Sequence, residues 1–201
     1  NPNLIVLDVR PAKDFIQGHI PRSLHVPLDG KLAIWATYVI DNNESFVVVC
    51  NPGDEADVAT RLSRTGLDKA QGFLEGGFEA WKSAGYPTDK VRTLQAETGD
   101  EFAQKTSNGV VLDIRDPGEL EGGIYEKAIT KNFAQLKDSL KDKNDKEVFI
   151  HCAGGVRSLI GYSLMKRQGY NVTNIDGGFN RLAKIGVKTK KWAGKPACCL
   201  I

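Results

Sequence analysis

Histidine is scarce in this chain. Its three copies, His19, His25 and His151, form no zinc-binding spacing with any cysteine pair, so no metal centre is expected. Four cysteines in 201 residues are too few and too scattered for a disulfide framework. Cys50 and Cys152 each end an apolar run, and Cys198 and Cys199 sit at the extreme C-terminus, a pattern that fits a reducing cytoplasm. No apolar stretch approaches the roughly 18 residues of a membrane span, and no secretory signal opens the chain. The expected setting is therefore cytoplasmic, away from membranes. Strong charge of one sign is missing too: 27 basic and 25 acidic residues leave a net charge of +2, which gives no reason to expect nucleic acid as a partner. The lysines from Lys184 to Lys195 are spread out, as on a solvated face. Gly122-Gly123 and Gly177-Gly178 lack the context of a dinucleotide fingerprint and read as turns, so no cofactor is expected.

What the chain does have is an internal repeat at an interval of about 105 residues, Arg10 to Arg115, much longer than solenoid periods. Leu4 to Arg10 returns as Gly109 to Arg115, Phe15 to Gly18 as Leu120 to Gly123, and Ser23-Leu24 as Ala128-Ile129. The run Phe46 to Cys50 matches Val148 to Cys152, and Gly76-Gly77-Phe78 matches Gly177-Gly178-Phe179. Two homologous domains follow, 1–90 and 91–190, joined between Pro87 and Leu94, with a tail at 191–201. In the second copy, strands are predicted at Val110–Asp113, Ala128–Asn132, Val148–Cys152 and Val172–Ile175. Helices are predicted near Leu94–Lys105, Ala134–Lys141, Ser158–Gln168 and Gly178–Lys184. The alternation predicts an α/β fold in which each copy is a mainly parallel sheet flanked by helices. Ligands of such sheets bind beyond the carboxyl ends of the strands, where Cys152 falls. The first copy begins almost at its first strand, which predicts a clipped domain belonging to a longer protein.

Residues 148–158 concentrate the chemistry. An apolar strand ends at Cys152, a small loop of Ala153, Gly154, Gly155 and Val156 follows, and Arg157 opens a helix. Glycines let successive backbone N–H groups turn inward as a nest for negative charge, and the helix N-terminus adds orphan donors. A thiol in that setting is expected to ionise readily, and the thiolate is the nucleophile. Arg157 offers a planar fork for the oxygens of an anionic substrate. His151 alternates to the opposite face of the strand and is expected to be structural.

These residues resemble the rhodanese family of sulfurtransferases, as a tandem pair. The resemblance rests on Asp8-Val9-Arg10 with Gly18 to Pro21, on Asp113-Ile114-Arg115, on the loop from Cys152 to Arg157, and on the two Gly-Gly-Phe endings. The first copy, with Gly18 to Pro27 and Trp35, is similar to rhodanese domains fused behind a metallo-β-lactamase-fold persulfide dioxygenase. The resemblance implies that Cys152 accepts sulfane sulfur as a persulfide and passes it to a thiol or cyanide. Ala153, Gly154, Gly155, Val156 and Arg157 would cradle the substrate, and Asp113 and Arg115 would support the loop. The implied partners are a small anionic sulfur donor, a thiol acceptor and a fused metallo-β-lactamase-like domain.

The first copy departs from the pattern. Its loop reads Cys50-Asn51-Pro52-Gly53-Asp54-Glu55, with Glu55 where the second copy has Arg157. Two carboxylates there raise a neighbouring thiol's pKa and repel anions, and Pro52 removes an N–H donor, so this copy is expected to be inactive. Two other functions compete for the second copy. The His-Cys-loop-Arg-Ser run resembles cysteine phosphatases and arsenate reductases, although those loops place one more residue between cysteine and arginine. A non-catalytic docking module is the other. Cys198 to Ile201 formally resembles a prenylation box but lacks a strong polybasic run; a mobile tail with two thiols is the expectation.

Overall fold

The computed structural model describes residues 4–140 and 145–195, so the Cys198–Ile201 segment and its lipidation reading lie outside the described residues. The chain divides into two compact units, Asn1–Val91 and Arg92–Ile201. In the first, strands β1 (Ile5–Asp8), β2 (Leu24–His25), β3 (Phe46–Val49) and β4 (Ala70–Phe73) alternate with helices α1 (Ala12–Gln17), α2 (Leu32–Thr37), α3 (Glu55–Ser63) and α4 (Gly77–Ser83). The strands pair in parallel in the order β2-β1-β3-β4.

The second unit opens with β5 (Thr93–Leu94) and α5 (Gly99–Lys105), followed by β6 (Val110–Asp113), α6 (Pro117–Leu120), β7 (Ile124–Tyr125) and β8 (Ile129–Thr130). A 3-10 turn at Phe133–Gln135 leads into α7 (Leu136–Ser139), then β9 (Val148–His151), α8 (Val156–Arg167), β10 (Val172–Ile175), α9 (Gly178–Lys184) and β11 (Thr189–Lys190). Its main sheet is parallel throughout, in the order β5-β10-β9-β6-β8, and β11 pairs with β7 antiparallel. The order β8-β6-β9-β10 repeats β2-β1-β3-β4, so the expected architecture of two helix-flanked parallel sheets is what the chain adopts.

The central strands β3, β6 and β9 open as apolar runs because both faces are covered; every residue of β9 and of β10 is buried. On one side of the second sheet, Phe102, Val111, Tyr125, Phe149, Ile175 and Leu182 form a core, with Phe102 and Tyr125 edge to face at 5.2 Å. On another, α8 lies close against β9. A Cβ added to Gly161 would stand 2.8 Å from Ile150 Cδ1 and 2.9 Å from Leu136 Cδ2. That close seat explains why Ser158 to Met165 are buried without interruption, and it fixes the N-terminus of α8 at the carboxyl edge of the sheet.

Two expectations need correction. The segment predicted as a helix from Leu94 to Lys105 begins as strand β5, and its helix starts only at Gly99, after Thr98 caps it by accepting from Glu101 N at 3.2 Å. The helix after the cysteine loop begins at Val156 instead of Ser158, which places Arg157 inside its first turn.

Candidate active site

Cys152 is the first residue beyond β9. Gly155 turns the loop at a φ of 108° and serves as the N-cap of α8, a left-handed conformation that a side chain would strain. The turn aims one donor at the sulfur: Gly155 N–H reaches Cys152 Sγ at 3.1 Å. Sγ also lies 3.8 Å from Ser158 Oγ, and that hydroxyl donates to Gly155 O at 3.0 Å. The same hydroxyl can rotate to donate to a thiolate. Cys152 is only 2 % exposed.

The loop rests on the start of α9. Phe179 N–H donates to Cys152 O at 2.7 Å and Asn180 N–H to Ala153 O at 3.0 Å. Gly178, at a φ of +57°, makes that approach feasible: a Cβ there would stand 2.5 Å from Cys152 O and 2.7 Å from Ala153 O. The Gly-Gly-Phe sequence is therefore a seat for the loop as well as a turn.

Asp113 and Arg115 form a buried ion pair, Nη2 to Oδ2 at 2.6 Å and Nε to Oδ1 at 3.0 Å. Arg115 also donates to the carbonyls of Glu119 and Gly123 and stacks over the Phe179 ring at 3.6 Å. Through Phe179 the pair is joined to the carbonyl of Cys152. The first unit repeats the device, with Arg10 on Asp8 at 2.6 Å and over Phe78 at 4.1 Å. His151 is fully buried, its pKa lowered by that burial, and its Nδ1 donates to Cys152 O at 3.2 Å.

Arg157 does not stand open to solvent. Nη1 donates to Asp116 Oδ2 at 2.9 Å and Glu119 Oε2 at 2.6 Å, and Nη2 to Glu119 Oε1 at 2.7 Å. This two-pronged geometry is the strong form of a charged hydrogen bond. It holds the Glu119 carboxyl below its usual range and raises the arginine's own pKa further. Glu119 is fixed in turn by the start of α6, where its Oε2 accepts from Asp116 N at 2.8 Å.

At the matching place in the first unit the same parts are wired differently. Gly53 stands where the second loop has Gly155, but its N–H is donated at 2.8 Å to Glu55 Oε2. The residue that replaces arginine thus takes the donor that would otherwise face the sulfur. Burial first, then the carboxylates of Glu55, Asp54 and Asp8, push the Cys50 thiol up to about 11. A cavity of about 820 Å³ opens over Cys50, walled by Arg10, Asp14, Phe78, Lys82 and Lys90 among others.

The profile of the rhodanese-like domain matches residues 1–84 and again 98–184. The chain belongs to the rhodanese-like family. Its two rhodanese-like domains are similar to several curated proteins over about half of the chain. The uncharacterized protein YqhL of Bacillus subtilis is 30% identical over 106 residues, 52% of this chain and 76% of that protein. The tRNA uridine(34) hydroxylase of Legionella pneumophila is 34% identical over 111 residues, 51% of this chain but only 43% of the hydroxylase. Among solved structures, the thiosulfate sulfurtransferase of Pseudomonas aeruginosa aligns with 96% of this chain and 41% of its own, at 21% identity and a TM-score of 0.43.

In the second rhodanese-like domain the structure brings Cys152, Ala153, Gly154, Gly155, Val156 and Arg157 together at one sheet edge, with Asp113 and Arg115 behind them. Sequence reasoning missed Ser158, which it took only as a helix start, and the clamp residues Asp116 and Glu119. The Asp-Pro-Gly-Glu run at 116–119 is a legible capping signal, yet nothing local says that the same carboxylates hold Arg157. No helix among the described residues is long and apolar enough to cross a membrane.

Proposed function

We propose that the second rhodanese-like domain is a sulfurtransferase that carries sulfane sulfur on Cys152. The observation that carries this reading is the single loop donor, Gly155 N–H, aimed at Sγ at 3.1 Å. The Cys152 thiolate attacks the terminal sulfur of a persulfide or of thiosulfate. The donor's S–S bond breaks, and the rest leaves as a thiolate or as sulfite with the bonding electrons. Cys152 now holds an extra sulfur, and the loop donor meets the charge of that persulfide. A second thiol or cyanide then attacks the outer sulfur, and the Cys152 thiolate leaves unchanged.

A terminal sulfur suits a nearly buried thiol on a loop with only four residues between cysteine and arginine better than a phosphoryl group with its equatorial oxygens, so phosphatase or arsenate reductase chemistry is the weaker reading. A persulfide donor also agrees with the likeness of Gly18 to Pro27 and Trp35 to rhodanese domains fused behind a persulfide dioxygenase, a protein with a metallo-β-lactamase-like domain. The first domain, with its loop donor turned to Glu55 and its thiol held protonated, serves as a non-catalytic partner. Sulfur transfer from thiosulfate or a small persulfide to cyanide provides the test. Cys152→Ser should abolish it and Cys50→Ser should leave most of it; equal loss in the two variants would overturn the assignment.

A further inference from the structure

Arg157 is the positive group beside the thiol, yet both of its outer nitrogens are engaged. Glu119 closes the end of the fork and Asp116 takes the remaining Nη1 hydrogen, at 2.6, 2.7 and 2.9 Å. One guanidinium therefore faces two carboxylates. The Asp113–Arg115 pair behind them is internally balanced, so these five side chains together sum to one excess negative charge. The arrangement is built, not incidental: Glu119 accepts from Asp116 N, and Asn132 Nδ2 donates to Asp116 Oδ1 at 2.9 Å, so both carboxylates are held in place. Because Arg157 keeps Glu119 below the usual carboxylate range, the Glu119 arm of the clamp stays ionised at neutral pH.

We propose that Glu119 and Asp116 set the choice of sulfur donor at Cys152. They neutralise Arg157 toward incoming anions, so the site takes sulfur from a persulfide on a neutral or cationic carrier in preference to the dianion thiosulfate. This rests on the sulfurtransferase reading above and names its substrate class. The physical ground is charge balance. A dianion approaching the loop gains attraction from one guanidinium and meets repulsion from two carboxylates fixed on the same fork, whereas a persulfide whose carrier bears an ammonium group has no net charge and escapes that repulsion. The carboxylates are positioning and selectivity residues and touch no reacting atom. The first domain retains an acid at the corresponding place, Asp14, four residues beyond Arg10, although its arginine is lost.

The test compares kcat/KM for sulfur loading from thiosulfate and from cysteamine persulfide, in the full chain and in Asp116→Asn and Glu119→Gln. The wild type should favour cysteamine persulfide, and added salt should raise its thiosulfate rate by screening the repulsion. Each variant removes one negative charge and should raise kcat/KM for thiosulfate by roughly tenfold, with little change for cysteamine persulfide and a weaker response to salt. A purely structural role would move both donors together and leave the salt response unchanged, and that result overturns the proposal. The salt response of the wild type needs no variant, so poor folding of Glu119→Gln leaves the test intact; a thiosulfate rate that falls with salt also overturns it. Should neither donor load Cys152, the sulfurtransferase reading fails with it, whereas loading with an unmoved donor ratio refutes the carboxylates' role alone.

Discussion

Gly178→Ala probes how the loop is held. Its Cβ would stand 2.5 Å from Cys152 O and 2.7 Å from Ala153 O, both backbone atoms that no rotamer change can clear. The position also has a φ of +57°. A left-handed residue with a side chain costs roughly 1–2 kcal/mol. Forcing an extra carbon into a filled space adds typically 1–3 kcal/mol. Gly186 separates the two costs, since it has a φ of +76° and nothing within 4 Å of an added Cβ. Gly186→Ala should therefore destabilise by about 1–2 kcal/mol in urea unfolding, and Gly178→Ala by about 2–5 kcal/mol. The functional effect should diverge further. Displacing Cys152 O strains the 2.7 Å bond from Phe179 N and shifts the thiol against Gly155 N, and misplacement of reacting atoms by about 1 Å costs on the order of a hundredfold in rate. Sulfur loading of Cys152, followed by stopped-time mass measurement, should thus slow by tenfold or more in Gly178→Ala, with Gly186→Ala near wild type. Equal stability losses and equal loading rates in the two variants would refute the reasoning.

Three further outcomes follow from the same geometry. Cys50, with its thiol pushed up to about 11 by burial and by Glu55, Asp54 and Asp8, should react slowly with iodoacetamide at pH 7 and reach half-maximal rate only near pH 11; neutralising both acids as Asp54→Asn with Glu55→Gln should lower that midpoint. Arg157→Ala should let the Glu119 carboxyl titrate back toward its ordinary range in an NMR pH titration and raise the KM for thiosulfate, while Arg157→Lys restores only part because the two-pronged contact is lost. The buried imidazoles of His19, His25 and His151 all have pKa values lowered by burial, His25 to about 3. Their contribution is complete above the unfolded value of 6.5 and is lost as pH falls below it, so urea unfolding should weaken by up to about 1.4 kcal/mol per pH unit for each histidine from below pH 6.5 toward the folded pKa.

The readable part of this fold was the part buried on both faces. Strands such as Val148–His151 and Val110–Asp113 announce themselves as apolar runs because helices cover both sides of a parallel sheet, and the cysteine ending one of them marks the site. The repeat then fixed the correspondence between Gly53 and Gly155. Short elements were not legible. Thr93–Leu94 is a two-residue strand whose existence depends on its pairing with Asn174 and Ile175, far along the chain. Ile124–Tyr125 pairs with Thr189–Lys190 for the same non-local reason. The most consequential omission was the clamp on Arg157. Sequence placed that arginine correctly beside the loop and assigned its fork to an incoming anion, whereas Glu119 and Asp116 reach it from 38 and 41 residues away. The reversed polarity of the first loop was visible in Glu55, but that its carboxylate takes the Gly53 N–H emerges only from the folded turn.

Whether sulfur is carried on Cys152 or on Cys50 is decided by incubating the intact chain with a small persulfide at pH 7, measuring its mass and mapping the peptides. A gain of one sulfur atom is expected, located on the peptide containing Cys152 and released by a thiol acceptor. No gain on that peptide, or an equal gain on the peptide containing Cys50, would contradict it.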